Sequence, residues 1–83
     1  MDKVLVEIFL PAANASYDVR IPLHSRMSEI LQMVSKLLGD LSAGKYLPAD
    51  DSVLCDRDSG EVLNINLTAA ESGLRNGSRL MLV

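Results

Sequence analysis

The sequence predicts an α+β fold in which a mixed sheet of four to five strands packs against one main helix. Apolar and polar residues alternate near the start of the chain and at its end, which is typical of strands with one buried face. Between these segments, apolar residues from Met27 to Leu38 recur at spacings of three and four, which is typical of an amphipathic helix. Because a helix with one apolar stripe must cover that stripe, we expect the helix to lie on one face of the sheet.

The composition is that of a small folded domain, and we expect residues 1–83 to form one domain. Apolar residues make up 48% of the chain and charged residues 23%. A net charge of -3 and scattered Lys and Arg residues disfavour a nucleic-acid partner. The apolar runs are far shorter than the roughly 20 residues that cross a bilayer, and the start of the chain does not resemble a signal peptide. We therefore expect a cytoplasmic protein without direct membrane insertion.

The first strand is predicted over 3–10, where Val4, Val6, Ile8 and Leu10 share one face. The segment 11–16 begins with proline and breaks the alternation, as turns do. Alternation resumes over 17–21, so the N-terminal part of the chain is predicted to be a hairpin.

The helix is predicted to follow Pro22. Its apolar stripe contains Met27, Ile30, Leu31, Val34, Leu37 and Leu38. Ser25 is a candidate N-cap because its hydroxyl can accept a backbone N–H, and Gly39 is expected to end the helix. The segment 40–51 contains Gly44 and Pro48 and is predicted to be an irregular crossover.

The C-terminal half is predicted to return to the sheet. Short strands are expected over 52–56 and 61–65, around a turn that contains Gly60. Thr68 and Glu71 have the spacing of a capping box, and Gly73 is expected to end the helical turn that this box opens. A closing strand is predicted over 79–83.

This order of elements is similar to the β-grasp fold of ubiquitin, and the chain resembles the YukD/EsaB family of bacterial type VII (WXG100) secretion systems. The resemblance depends on motifs in the first, second and last strands: Lys3-Val4-x-Val6, Tyr17-Asp18-Val19-x-x-Pro22, and Gly73-Leu74-x-Asn76-Gly77-x-x-Leu80-x-Leu82. It implies a cytoplasmic accessory component of the secretion machinery that acts by protein contact. It implies no enzymatic activity and no cofactor.

Ubiquitin-like modifiers and sulfur carriers react through a C-terminal Gly-Gly, whereas this sequence ends in Leu82-Val83. We therefore expect a non-conjugating adaptor. A ubiquitin-like sulfur carrier is a disfavoured alternative, and a soluble ubiquitin-like domain of a larger membrane secretion component is another.

A candidate interaction surface follows from the alternation of the strands. The residues expected to face the helix are Val4, Val6, Ile8, Leu10, Tyr17, Val19, Ile21, Val53, Cys55, Leu80 and Leu82. The residues expected to face away from it on the first, third and last strands are Glu7 and five apolar residues, Leu5, Phe9, Leu54, Met81 and Val83. A contiguous exposed apolar patch marks an interaction site more often than chance, so these five form the candidate protein-interaction face. The alternatives are ordinary surface exposure or cover by the 40–51 segment.

No catalytic, metal-binding or cofactor-binding residues are predicted. Cys55 at a core-facing position is expected to be inert packing, and His24 lacks the partners that an acid–base or metal site needs. The acidic residues from Asp50 to Glu61 have the wrong spacing for a calcium loop and are expected to form a solvated turn.

Overall fold

The computed structural model describes residues 2–83 and confirms the predicted fold class. Four strands, β1 (Lys3–Leu10), β2 (Ala15–Pro22), β3 (Leu54–Asp56) and β4 (Arg79–Leu82), form one mixed sheet in the order β2-β1-β4-β3. One helix, α1 (Met27–Leu41), packs on it. β1 is antiparallel to β2 and parallel to β4, and β3 is antiparallel to β4.

The N-terminal hairpin joins β1 to β2 through a short 3₁₀ turn over Pro11–Ala13. The strands pair along their whole length, from Lys3 opposite Pro22 to Leu10 opposite Ala15. Asn14 follows the turn with φ of 49°, a left-handed conformation that asparagine adopts more readily than most residues. The hairpin agrees with the predicted one, and both strands alternate between buried and more exposed residues.

The start of α1 differs from the prediction, because no side chain caps it. The first N–H groups of the helix are bound by a loop that is distant in sequence. Met27 N–H donates to the carbonyl of Leu67 over 2.8 Å, and Ser28 N–H donates to the carbonyl of Ile65 over 3.1 Å. The prediction of Ser25 as N-cap was therefore wrong, because backbone carbonyls, and not its hydroxyl, accept the hydrogen bonds from the first N–H groups of the helix.

The end of α1 also differs, because the helix continues through Gly39 to Leu41. A Cβ at position 39 would lie 3.3 Å from Cδ of Pro48, so glycine permits the crossover to pass close to the helix. The helix ends in a Schellman motif, in which Gly44 N–H donates to the carbonyl of Gly39 and Ala43 N–H donates to that of Asp40. Gly39 was thus wrongly predicted to end the helix.

The core lies between α1 and the sheet. Its most deeply buried side chains are Val6, Ile8, Leu10, Ile21, Met27, Ile30, Val34, Leu38, Leu80 and Leu82. Tyr46 and Ala69 are also buried, although the sequence pattern did not predict them. The Tyr46 hydroxyl is 2.6 Å from Oγ of Ser52, a bond that ties the crossover together inside the protein.

The segment 61–65 does not form the predicted strand. It makes one bridge, between Val62 and Cys55, which consists of two backbone hydrogen bonds to β3. The described sheet therefore has four strands, and this segment covers the free edge of β3.

The capping box is confirmed: Thr68 N–H donates to Oε1 of Glu71, and Glu71 N–H donates to Oγ1 of Thr68. None of the helices in residues 2–83 has the length and apolar character needed to cross a membrane.

Candidate protein-interaction face

The register of β3 decides which residues lie on the outer face, the side of the sheet opposite α1. Leu54 lies opposite the core residue Leu82, and Cys55 lies opposite Met81. Leu54 is therefore part of the core and only 3% exposed, so its predicted outward position was wrong. Val53 and Cys55, which were predicted to face the helix, are on the outer face instead. A shift of one residue moves every side chain of a strand to the other face.

An apolar patch occupies one end of the outer face and consists of Phe9, Val53, Met81 and Val83. Phe9 lies beside Met81 in the parallel pair of β1 and β4. Val53 and Val83 exchange two backbone hydrogen bonds, of 2.9 and 3.0 Å, which places them side by side. Val83 is 48% exposed, and the other three are half-buried. The patch thus presents apolar side chains from three adjacent strands.

A row of charged residues borders the apolar patch. Oε1 of Glu7 is 3.1 Å from Nη1 of Arg57 and 3.9 Å from Nε of Arg79. Nη1 of Arg79 is 3.3 Å from Oδ1 of Asp58. Because these groups are partly exposed, the ion pairs contribute little stability each, but together they fix the direction of two guanidinium groups.

Arg57 also packs on the apolar patch. Its guanidinium carbon lies 4.3 Å from the centroid of the Phe9 ring, which is a cation–π contact. Glu7 holds this arginine from the other side. One face of the aromatic ring therefore lies against an ordered cation, and the position of this cation is set by the row of charged residues.

Leu5 is separated from the rest of the predicted face. It is 44% exposed and lies on β1 two residues before Glu7, so the charged row stands between it and Phe9. The structure therefore brings together Phe9, Met81 and Val83, adds Val53, leaves Leu5 at a distance and removes Leu54. The protein-binding role of these residues remains a prediction.

Cys55 lies on the outer face beside Met81, is bridged to Val62 and is only 5% exposed. Burial raises the pKa of its thiol, and the negative charge of the neighbouring Asp56 raises it further. The thiolate needed for nucleophilic chemistry is therefore scarce at neutral pH.

The acidic segment around Asp56 forms a turn. Backbone N–H groups of Ser59 and Asp58 donate to Oδ1 of Asp56 over 3.0 and 2.8 Å, and these bonds lower the pKa of its carboxyl group. The carboxylate thus serves the backbone of the turn. Within residues 2–83, no three His, Cys, Asp or Glu side chains come together in a way that could hold a metal ion.

Sequence reasoning missed Val53, Arg57 and Arg79 as members of the outer face. One signal was available for the arginines, since Glu7 stands at an outward position of β1 and favours cations on neighbouring strands. No comparable signal existed for Val53. It belongs to a run of three apolar residues, in which period-two alternation does not determine the direction of any side chain.

A helix packed on a mixed sheet of order β2-β1-β4-β3 defines a ubiquitin-like β-grasp protein. Residues 4–82 match the family described as WXG100 protein secretion system (Wss), protein YukD. The chain belongs to the YukD family, and it is therefore a ubiquitin-like protein associated with type VII secretion. This confirms the resemblance derived from the strand motifs.

Solved structures agree with this assignment. The chain is similar to the EccD5 ubiquitin-like domain from Mycobacterium xenopi, with 26% identity, a TM-score of 0.74, and coverage of 100% of this chain and 94% of that one. The ubiquitin-like domain of the Mycobacterium tuberculosis type VII secretion system protein EccD1 gives 20% identity, a TM-score of 0.65 and coverage of 100% and 99%. A ubiquitin from Caldiarchaeum subterraneum has 16% identity and a TM-score of 0.73, with coverage of 98% of this chain and 91% of that one. The last two likenesses show the fold alone. No curated protein matches the chain.

Proposed function

We propose that this protein is a cytoplasmic, non-enzymatic adaptor of a type VII secretion system that binds a protein component of the machinery through the apolar patch. The observation that carries the proposal is the patch itself. Phe9, Val53, Met81 and Val83 present apolar surface on three adjacent strands, with Arg57 held against Phe9. Apolar anchors inside a charged border are typical of protein-binding surfaces, in which buried aromatic and arginine side chains contribute most of the affinity.

The partner that fits this surface has an apolar segment flanked by acidic groups. The apolar segment would cover the patch, and the carboxylates would reach Arg57 and Arg79 at its border. These guanidinium groups already share Glu7 and Asp58, so they are oriented before binding. Orientation before binding lowers the entropy cost of forming the complex.

The patch is tested by placing a charge in it. Val83→Asp changes a side chain that is 48% exposed and therefore costs the fold little. In the producing bacterium, with the variant replacing the wild-type gene, we expect secretion of a WXG100 substrate to fall to the level of a deletion strain. Immunoblots of the culture medium measure secretion, and blots of the cells measure the amount of adaptor.

Leu47→Asp is the matched control, since Leu47 is 75% exposed and lies in the crossover, away from the outer face. Secretion at wild-type level in the Val83→Asp strain, with normal adaptor abundance, would refute a role for the patch. A deletion strain with normal secretion would refute the adaptor role altogether.

A second candidate function is supported by the likeness to the EccD5 domain: this chain is a ubiquitin-like domain of a larger secretion component. The two candidates differ in the size of the cellular protein. Mass spectrometry of the protein isolated from the producing bacterium distinguishes a free small protein from a domain of a large one.

The adaptor is proposed to act by binding and without conjugation. The same mass measurement tests this: a covalent adduct or a C-terminal thiocarboxylate would contradict the proposal.

A further inference from the structure

One edge of the sheet is covered, and the other is open. On the β3 side, the 61–63 segment bonds to the strand, as described above. On the β2 side, the direction of the backbone groups follows from β1. Leu5 N–H donates to the side chain of Asn76, and Glu7 N–H donates to the carbonyl of Ser78, so these two residues of β1 point toward β4. The residues between them point toward β2.

The register then assigns the backbone groups of β2. Val6 pairs with Val19, and Ile8 pairs with Tyr17, so the odd-numbered residues of β2 point inward to β1. Ser16, Asp18 and Arg20 consequently point their N–H and C=O groups away from the sheet. Beyond the β1–β2 ladder, no hydrogen bond among residues 2–83 involves these three residues. Such an edge is a template for another strand.

α1, which contacts β2, has an exposed apolar flank. Met33, Leu37 and Leu41 follow one another at spacings of four and are 42%, 38% and 54% exposed. The opposite flank of the helix, with Ser28, Gln32 and Ser35, borders a groove lined by residues 48–50 and 52, which lead into β3. Because β2 and β3 are opposite edges of the sheet, the flank with Met33 faces the β2 side.

The charged residues of β2 have no oppositely charged neighbours on β1. The cross-strand neighbour of Asp18 is Glu7, a like charge, and that of Arg20 is Leu5, which offers no charge at all. Within residues 2–83, neither Asp18 nor Arg20 takes part in an ion pair. A like-charged pair directly across two strands is destabilising, so Asp18 would gain from a cation on a further strand.

We propose that β2 pairs with β2 of a second copy of this chain, antiparallel about a two-fold axis through Val19. In this register Asp18 lies opposite Arg20 of the second copy, and Arg20 lies opposite its Asp18. Both pairs are formed by residues with outward backbone groups, so each exchanges two backbone hydrogen bonds. Ser16 lies opposite Pro22, which has no N–H, and the pairing therefore ends there.

The charges select this register over its neighbours. Pairing by outward residues requires shifts of two, and one such shift places Asp18 opposite Asp18 of the second copy. The shift in the other direction places Arg20 opposite Arg20. Only the proposed register pairs opposite charges on both sides of the axis, which is the self-complementarity that a two-fold interface requires.

The same symmetry brings the two helices together. A two-fold axis perpendicular to the sheet keeps both copies of α1 on one face, with their flanks of Met33, Leu37 and Leu41 toward the axis. The result is an eight-stranded sheet with an apolar contact between helices above its centre. Strand pairing supplies the register and the apolar flanks supply buried area.

The test uses charge reversal. Asp18→Arg and Arg20→Asp each place like charges opposite one another in the homodimer, whereas a mixture of the two variants restores both attractive pairs. By sedimentation equilibrium, we expect wild-type protein to dimerise. Each variant alone should self-associate with a dissociation constant at least about tenfold higher. An equimolar mixture of the variants should form heterodimers about as tightly as the wild type.

Leu37→Lys and Gln32→Lys are a matched pair on the two flanks of α1. The first should weaken dimerisation and the second should not. Circular dichroism checks that every variant is folded. A wild-type protein that stays monomeric to millimolar concentration would overturn the proposal and show that Asp18 and Arg20 protect the edge instead. An Asp18→Arg protein that dimerises like wild type, or a mixture that stays monomeric, would overturn it as well.

Discussion

At the scale of single residues, the decisive feature is the direction of three consecutive apolar side chains in β3. Val53, Leu54 and Cys55 are each compatible with the core, and alternation alone does not choose among them. Leu54 enters the core opposite Leu82, and this places Val53 and Cys55 on the outer face. The composition of the candidate interaction face therefore depends on one choice of register.

This register predicts unequal costs for truncation. Leu54→Ala removes a side chain that is 3% exposed and should lower the free energy of unfolding by about 2–4 kcal/mol. Val53→Ala removes a half-buried side chain on the outer face and should cost less than about 1 kcal/mol. Urea denaturation followed by circular dichroism measures both. A larger cost at Val53 than at Leu54 would contradict the register.

At the scale of elements, the two ends of α1 are bound in different ways, the first by a distant loop and the last by local contacts. The first turn is bound by the carbonyls of Ile65 and Leu67, so the helix cannot start as it does until the C-terminal half is in place. The last turn closes on a left-handed residue, Ala43, with φ of 56°. A side chain with a Cβ is strained in this conformation.

The strain at the end of α1 predicts a stabilising substitution. Ala43→Gly relieves the contact between Cβ and the backbone and keeps the Schellman bonds, so the free energy of unfolding should rise by about 0.5–1 kcal/mol. Thermal denaturation measures the effect. Lys45→Gly is the control, because glycine there adds only flexibility to the unfolded chain and should give no gain. A loss of stability in Ala43→Gly would show that the Ala43 conformation carries no strain.

At the scale of the whole molecule, two turns in the C-terminal half couple stability to acid. The N–H of Thr68 holds the pKa of Glu71 below its usual value of 4.5, and the N–H groups of Ser59 and Asp58 lower that of Asp56. In each case the folded state keeps its charge at a pH at which the unfolded state binds a proton. The stabilisation is complete above the unfolded pKa and is lost as pH falls through the folded one.

Acid stability can therefore be changed at one residue. Glu71→Gln keeps an oxygen that accepts the Thr68 N–H but removes the charge, so its melting temperature should depend less on pH than that of the wild type below pH 4.5. Thermal melts from neutral pH downward measure the two slopes. Equal slopes in the two proteins would contradict a role for this carboxylate.

The two proposed surfaces also belong to this scale. The apolar patch lies on the outer face toward β3, whereas the open edge lies on β2 at the other side of the sheet. A dimer formed through β2 leaves both apolar patches uncovered. One assembly can thus present two copies of the adaptor surface to the secretion machinery.

Much of the protein was determined by the sequence alone. The alternation in β1 and β2, most of the apolar stripe of α1 and the capping box at Thr68 and Glu71 were predicted correctly, because each depends on neighbours within a few residues. Leu37 was wrongly assigned to the buried stripe, since it is 38% exposed. The strand motifs were also sufficient to indicate the family. Local periodicity predicts these elements independently of the contacts that the rest of the chain makes.

Only the tertiary structure decided the features that join distant segments. These are the loop carbonyls that bind the start of α1, the burial of Tyr46 and Ala69, the contact of Arg57 with Phe9, and the register of β3. In each case the sequence left more than one partner possible, and the packing of segments that are distant in sequence selected one. The fold could therefore be derived from the pattern of the sequence, whereas the surface that carries the proposed function required the three-dimensional arrangement of its strands.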